Sequence, residues 1–164
     1  MIKTNQSFVL LADVVNSRRI VDRAAFDKKL QTVINAIGKT YESAFVLPLQ
    51  VWKGLDELAA VLQSPDELYA VISVIQAAVA PEKFRFVLVK GAIDVVPQNK
   101  DVRGADGAAF HQAAEAMQGL KKEGLPFNCN TGNALWDKAY STQLNLLLLL
   151  KGEWTERQYS IYEA

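Results

Sequence analysis

The sequence predicts an α+β domain, because two strand–helix–strand units follow one another and meet in a hairpin. The last strand of the first unit and the first strand of the second are joined by a tight connection at Gly54 to Glu57. So short a connection suits antiparallel strands, whereas parallel neighbours in a flavodoxin-like sheet need a crossover helix. The order βαββαβ therefore predicts a ferredoxin-like sandwich, a mainly antiparallel sheet with helices packed on one face.

The first half of the chain provides three strands and one helix. A nearly continuous apolar run from Ser7 to Val15 predicts a central strand. Asp22 is placed to cap a helix whose apolar residues recur at the helical period from Phe26 to Tyr41. Two further β-prone runs, Phe45 to Trp52 and Leu58 to Leu62, predict the arms of the hairpin.

The second unit begins with a strong helix signal. Ser64 to Glu67 combines a Ser N-cap, a Pro at the first helical position and a Glu where a capping box requires one. The run from Phe84 to Val96 returns to strand, with Gly91 predicted as a bulge. Pro48 predicts that part of the hairpin lies at a sheet edge, since proline cannot donate a ladder hydrogen bond.

The remaining residues extend this core. We expect a third helix capped by Asp106, a short strand around Phe127 and a Leu-rich helix from Asn133 to Leu150. Two units result, a folded domain over residues 1–152 and a further helix starting in residues 153–164. A second capping box from Thr155 to Gln158 supports that helix, which we expect either to dock on the domain or to begin a missing one.

The composition excludes several classes of protein. Eighteen Lys and Arg balance eighteen Asp and Glu, so the chain lacks the overall positive charge that favours nucleic acid or anionic membranes. The longest wholly apolar run, Leu146 to Leu150, is too short to span a bilayer. Cys129 is the single cysteine, which predicts a reducing, cytoplasmic location and, in the absence of a CxxC pattern, an inert thiol.

Asp13 is the anomaly of the first strand, because an ionised carboxylate in an apolar strand is costly unless it is paired, hydrogen-bonded or bound to a metal. We expect the Asp56-Glu57 turn to approach the end of that strand. Carboxylates in such a cluster suit Mg²⁺ or Mn²⁺ together with a substrate phosphate. Ser17 and Arg18 follow at once and could contact that phosphate. Turn formation by the same residues is the simpler alternative.

Two other segments contain residues that could take part in binding or catalysis. Asp106 and Gly107 lie in a short turn that could bind an anion before the third helix, although the same residues serve equally well as a turn and cap. His111 follows on that helix without a visible catalytic partner, which favours a structural role.

Several of these segments together resemble the SatD-like family. The family's motifs "GDIIGSR", "DR", "GDEFQGLL", "GEI" and "DGPAFHRA" are matched, in the same order, by Leu11 to Arg18, Asp22-Arg23, Asp56 to Leu62, Gly91 to Ile93 and Asp106 to His111. The SatD-like pattern is in turn similar to the catalytic fold of class III nucleotide cyclases and GGDEF proteins.

That wider similarity implies a role for the acidic residues. In the cyclase-like superfamily the two acidic positions hold divalent ions that activate a ribose hydroxyl, which would make Asp13 and Asp56 the ligands here. Leu55 stands in place of the glycine before the acidic pair, and no base-selecting residues are recognised. The resemblance therefore implies ligand binding rather than turnover.

The resemblance also bears on the C-terminus. Trp154 to Gln158 matches a "WTxRQ" segment that precedes a helix-turn-helix in many SatD-like chains. Ten residues cannot supply a recognition helix, so we expect no direct binding of DNA by this chain.

Three functions are compatible with the sequence. The first is a regulatory domain that binds a nucleotide or another phosphorylated small molecule with a divalent metal. The second is a metal-dependent enzyme of nucleotidyl or phosphoryl transfer. The third is a homodimerisation module in which the Leu-rich helix packs against its own copy.

Overall fold

The computed structural model, which describes residues 6–54 and 56–162, has an α+β fold built on a five-stranded mixed sheet. The strands are β1 (Gln6–Val14), β2 (Phe45–Lys53), β3 (Glu57–Leu62), β4 (Phe84–Ala92) and β5 (Phe127–Asn130). They lie in the order β2-β3-β1-β4-β5. Neighbours are antiparallel except β4 and β5, which are parallel. The predicted hairpin and the central position of the first strand are thus observed.

Helices cover both faces of this sheet rather than one. They are α1 (Arg23–Thr40), α2 (Leu68–Val79), α3 (Ala108–Glu123), α4 (Ala134–Lys151) and α5 (Glu156–Tyr162). Alternate residues of β1 divide between two cores: Leu10 and Ala12 pack with α1 and α2, whereas Val9 and Leu11 pack with α3. The two helices of the predicted βαββαβ unit, α1 and α2, do pack on one face. The other face is covered by α3, one of the added elements, because both faces of β1 are apolar and each requires a cover.

Two helix starts differ from the prediction. Helix α1 does begin after Asp22, whose carboxylate accepts a hydrogen bond from the Ala25 N–H at 2.9 Å. Helix α2 begins only at Leu68. The Ser64 hydroxyl donates to the Asp66 carboxylate and accepts from the Asp66 N–H, not from the Glu67 N–H that a capping box would use. The N-cap of α3 is Gly107, not Asp106.

Glycine explains how α3 lies so close to the sheet. Gly91 stays in the regular β1–β4 register opposite Ser7, so the predicted bulge is absent, and a Cβ at Gly91 would lie 3.1 Å from the Ala109 Cβ. A Cβ at Gly107 would lie 2.8 Å from the Ala92 carbonyl oxygen, and Gly107 has a φ of +153°. The missing side chains allow the helix to begin against the end of β4, which ends at Ala92 rather than Val96.

Side chains of α4 pair with the outer edge of β5. The Asn145 side chain bonds both backbone groups of Phe127, accepting from the N–H at 2.8 Å and donating to the carbonyl at 2.9 Å. Ser141 accepts from the Cys129 N–H, and the Asp137 carboxylate accepts from the Thr131 N–H. The spacing matches because four helical residues rise about as far as two strand residues extend. The polar side chains of α4 therefore take the place of a sixth strand.

The short last helix docks on the domain. The Thr155 hydroxyl accepts from the Gln158 N–H, and the Gln158 side chain accepts from the Thr155 N–H, so the predicted capping box is formed. Tyr159 is buried and donates its hydroxyl hydrogen to the Lys151 carbonyl at 2.7 Å. None of the described helices is long and apolar enough to cross a lipid bilayer. Residues 1–5 and 163–164 of the two predicted units lie outside the described residues.

Candidate functional site

A row of charged residues crosses the sheet at the end of β1. In the strand register Asp13 lies between Glu57 of β3 and Arg85 of β4. Directly opposed residues of antiparallel strands point to the same face, so these three side chains lie together on the face that α3 covers. The predicted approach of the second acidic segment to Asp13 is therefore observed, and the contact strand is β3.

The Asp13 carboxylate is buried and already has two cationic partners. Its side chain is 8% exposed, and its two oxygens lie 2.8 Å from Lys121 Nζ and 3.5 Å from Arg85 Nη1. Lys121 extends from the last turn of α3 and also lies 4.0 Å from a Glu57 oxygen. An ion pair this buried holds both cations in place, because leaving any one of the charges unpaired would be costly.

An open cavity of about 520 Å³ begins at this cluster and extends along the loop after β1. The loop turns at Asn16, which has the left-handed φ of 56°, and the following 3-10 turn spans Ser17–Arg19. Ser17 and Arg18 also line a second cavity of about 410 Å³, together with Phe26 of α1 and Gly54. Four cationic side chains line the larger cavity: Arg18, Arg19, Arg85 and Lys121.

The acidic residues in this cavity do not form a metal cradle. Lys121 Nζ occupies the position beside Asp13 and Glu57 that a cation bound to both would take. The Asp56 side chain lies against Gly54: its Oδ1 is 3.0 Å from the position that a Cβ atom would occupy if residue 54 were not glycine. Within residues 6–54 and 56–162, no group of three or more His, Cys, Asp or Glu side chains is placed to hold a metal ion. The side chains as placed pair Asp13 with Lys121 and do not bring Asp13, Asp56 and Glu57 together as three ligands, and a site for Mg²⁺ or Mn²⁺ at these residues stays a prediction. Leu55 lies outside the described residues.

The second predicted anion site is at the opposite end of the sheet. Asp106 and Gly107 follow β4, whose far end pairs with Gln6, whereas its near end pairs with Val14 beside the cavity. The Asp106 carboxylate accepts from the Gly107 N–H at 2.8 Å and lies 3.1 Å from His111 Nε2. These residues therefore do not join Ser17 and Arg18 in one site, and their contacts are those of a turn.

Sequence reasoning missed the two cations that contact Asp13. Arg85 is the only charged residue in the apolar run from Phe84 to Val89, which is the same signal that singled out Asp13. Lys121 lies in the last turn of α3, where a positive charge is favourable in any helix and so does not by itself indicate a buried partner. The strand register places Arg85 beside Asp13, and that register cannot be derived directly from the sequence.

Cys129 conforms to the inert thiol expected. Burial raises the pKa of Cys129 to about 11, and the nearby Asp137 carboxylate acts in the same direction, whereas the Ser141 hydrogen bond opposes it. The thiol lies 3.2 Å from the Ser141 hydroxyl oxygen in the β5–α4 contact, away from the charged row.

Comparison with known proteins places most of the chain in one family. The family model described as the SatD family matches residues 8–164, which includes the five described helices and all of the sheet except the first two residues of β1. No curated protein matches the chain.

Proposed function

This chain belongs to the SatD family, and we propose that it binds a small anionic ligand, carrying one or more phosphate groups, without a resident metal ion. The observation that carries this proposal is the convergence of Arg18, Arg19, Arg85 and Lys121 on one cavity. A volume of about 520 Å³ is within the range typical of small-molecule sites. Guanidinium groups match the geometry of phosphate oxygens, which supports this class of ligand.

In this proposal Asp13 positions cations rather than binding a metal. Its carboxylate fixes Lys121 Nζ at 2.8 Å and Arg85 Nη1 at 3.5 Å, both on the cavity wall. The side chains of Lys121 and Arg85 remain 30% and 17% exposed, so each can still reach a ligand. Arg18 and Arg19 sit on the exposed loop and are free to close on phosphate oxygens, with the Ser17 hydroxyl beside them.

We also propose that the sheet contains a ferredoxin-like unit similar to the cyclase-like fold. The order β2-β3-β1-β4, its antiparallel pairing and the packing of α1 and α2 against one face support a ferredoxin-like unit over residues 6–92. The position of Asp13 at the end of β1 beside the β2–β3 turn supports the cyclase-like comparison for the fold. The pairing of Asp13 with Lys121 argues against the metal chemistry of that superfamily.

A thermal-shift titration tests the proposal. Pyrophosphate and a panel of nucleoside triphosphates are added in EDTA and, separately, with Mg²⁺. A ligand present at about 100 times its dissociation constant adds about 2.7 kcal/mol to the free energy of unfolding. For a domain of this size we expect the melting temperature to rise by about 5–10 °C in EDTA.

Matched variants locate the binding site. Arg18→Gln should abolish most of the shift, whereas Lys122→Gln, which removes the same charge from an exposed position beside Lys121, should leave it intact. Absence of a shift with every phosphate would overturn the proposal. A shift that requires Mg²⁺ and disappears in Asp13→Asn would replace it with the metal site, and release of pyrophosphate from a triphosphate would replace binding with catalysis.

A further inference from the structure

Helix α4 is apolar on two opposite faces. One face contacts the core through Trp136, Tyr140, Leu144 and Leu148. The opposite face carries leucines that are largely exposed, with exposed fractions of 81% for Leu135, 60% for Leu146 and 53% for Leu149. A surface helix normally places polar residues on its outer face, so this second apolar face needs a partner.

The outer face follows a coiled-coil spacing. Leu135, Ala139, Thr142, Leu146 and Leu149 are separated by alternating intervals of four and three residues. This spacing keeps one line of side chains facing a neighbouring helix, over a length of about 21 Å at 1.5 Å per residue. We call these five residues the α4 seam. None of them is ionisable, so the seam would not repel an identical one.

We propose that the α4 seam binds the seam of a second copy of this chain, forming a two-fold symmetric dimer. An uncharged seam with knob-and-hole spacing is complementary to itself, which is what a two-fold interface requires. A partner of opposite charge would find no complementary group on these five residues. This inference rests on α4 alone and is independent of the ligand site.

The sheet edges direct association to this helix. The outer edge of β5 is already bonded to Asn145, Ser141 and Asp137 of α4. The other edge strand, β2, contains Pro48 and pairs with β3 through three shifts in register. Both features discourage addition of a further strand, so the exposed α4 seam is a more favourable place for a second copy than either edge of the sheet.

The size of the seam sets the expected strength of the dimer. The exposed fractions of the three seam leucines, Leu135, Leu146 and Leu149, amount to about two whole leucine side chains on each copy. A standard stable interface buries about 800 Å² per partner, and a single helix of this length covers less. We therefore expect a reversible dimer with a dissociation constant of about 1–100 μM.

Light scattering coupled to size exclusion tests the dimer directly. At about 200 μM, above the expected dissociation constant, the mass should approach twice the 18.1 kDa of the chain. It should return to 18.1 kDa on dilution. The double variant Leu146→Glu with Leu149→Glu should remain monomeric at every concentration. Val21→Glu, which introduces the same charge at a fully exposed valine outside α4, should dimerise as the wild type does.

Measuring the melting temperature tests the dimer in a second way, which does not depend on whether the double variant folds. The melting temperature of the wild type should rise with protein concentration, because only the folded state dimerises. A wild-type chain that stays monomeric, with a melting temperature independent of concentration, would overturn the proposal. A dimer that persists in the folded double variant would also overturn it, since the contact would then lie elsewhere.

Discussion

Replacing Asp13 by Asn separates two explanations of the buried carboxylate. At an effective dielectric constant of 20, its attraction to Lys121 at 2.8 Å and to Arg85 at 3.5 Å amounts to about 6 and about 5 kcal/mol before desolvation. Desolvation offsets most of this, and removing one member of a fully buried pair costs about 3–5 kcal/mol. Because water still reaches Lys121, we expect a loss of about 2 kcal/mol from the free energy of unfolding.

The sign of the change is the informative result. In EDTA, differential scanning calorimetry should show the melting temperature of Asp13→Asn lowered by about 4–8 °C. If Asp13, Asp56 and Glu57 instead formed an empty metal site, the substitution would relieve repulsion between carboxylates and would stabilise the metal-free protein. An unchanged or raised melting temperature would refute the ion-pair reasoning. A double-mutant cycle with Lys121→Gln should recover a favourable coupling energy, and Lys122→Gln should show none.

Three further predictions concern other parts of the fold. Gly107→Ala should lower the free energy of unfolding by at least about 2 kcal/mol, because the new Cβ would lie 2.8 Å from backbone atoms. Gly119→Ala, on the open side of α3, should instead raise the free energy of unfolding by about 0.5–1 kcal/mol. Denaturant titration measures both changes. Asn145→Ala should cost about 1–3 kcal/mol and speed hydrogen exchange in β5, and exposed Gln143→Ala should change neither. Cys129, with its pKa raised to about 11, should be about one part in a thousand thiolate at pH 8, so a thiol reagent should label it only on unfolding; rapid labelling of the native protein would contradict the burial.

Hydrophobic periodicity was sufficient to predict most of the elements, because each has a strong local signal. The stripe of α1 and its Asp22 cap, the hairpin around residue 55 and the capping box at Thr155 depend only on neighbours in the chain. The start of α2 was misplaced because the Ser64 hydroxyl accepts from the Asp66 N–H and not from the Glu67 N–H that the capping box requires. A local sequence pattern indicates which hydrogen bonds a side chain can make, but it does not indicate which of two competing hydrogen bonds forms.

The site was only half predictable for a different reason. An isolated Asp in an apolar strand indicates that a partner exists, but it does not say whether the partner is a metal ion, an arginine or a lysine. Arg85 reaches Asp13 through the β1–β4 register, and Lys121 reaches it through the length and direction of α3. Both contacts are long-range consequences of packing, with partners more than seventy residues away along the chain. A local pattern could mark Arg85 as an unusual charge, but it could not assign either cation to Asp13.

The bonding of α4 to the edge of β5 has a consequence for synthesis of the chain. The α4 side chains that bond this edge, those of Asp137, Ser141 and Asn145, follow their backbone partners in the chain by 6, 12 and 18 residues. A growing polypeptide therefore presents an open strand edge from the time β5 emerges until Asn145 does, about one to three seconds at ordinary translation rates. Chains that stall or are cut between these points would keep an unsatisfied edge and should be the forms that aggregate.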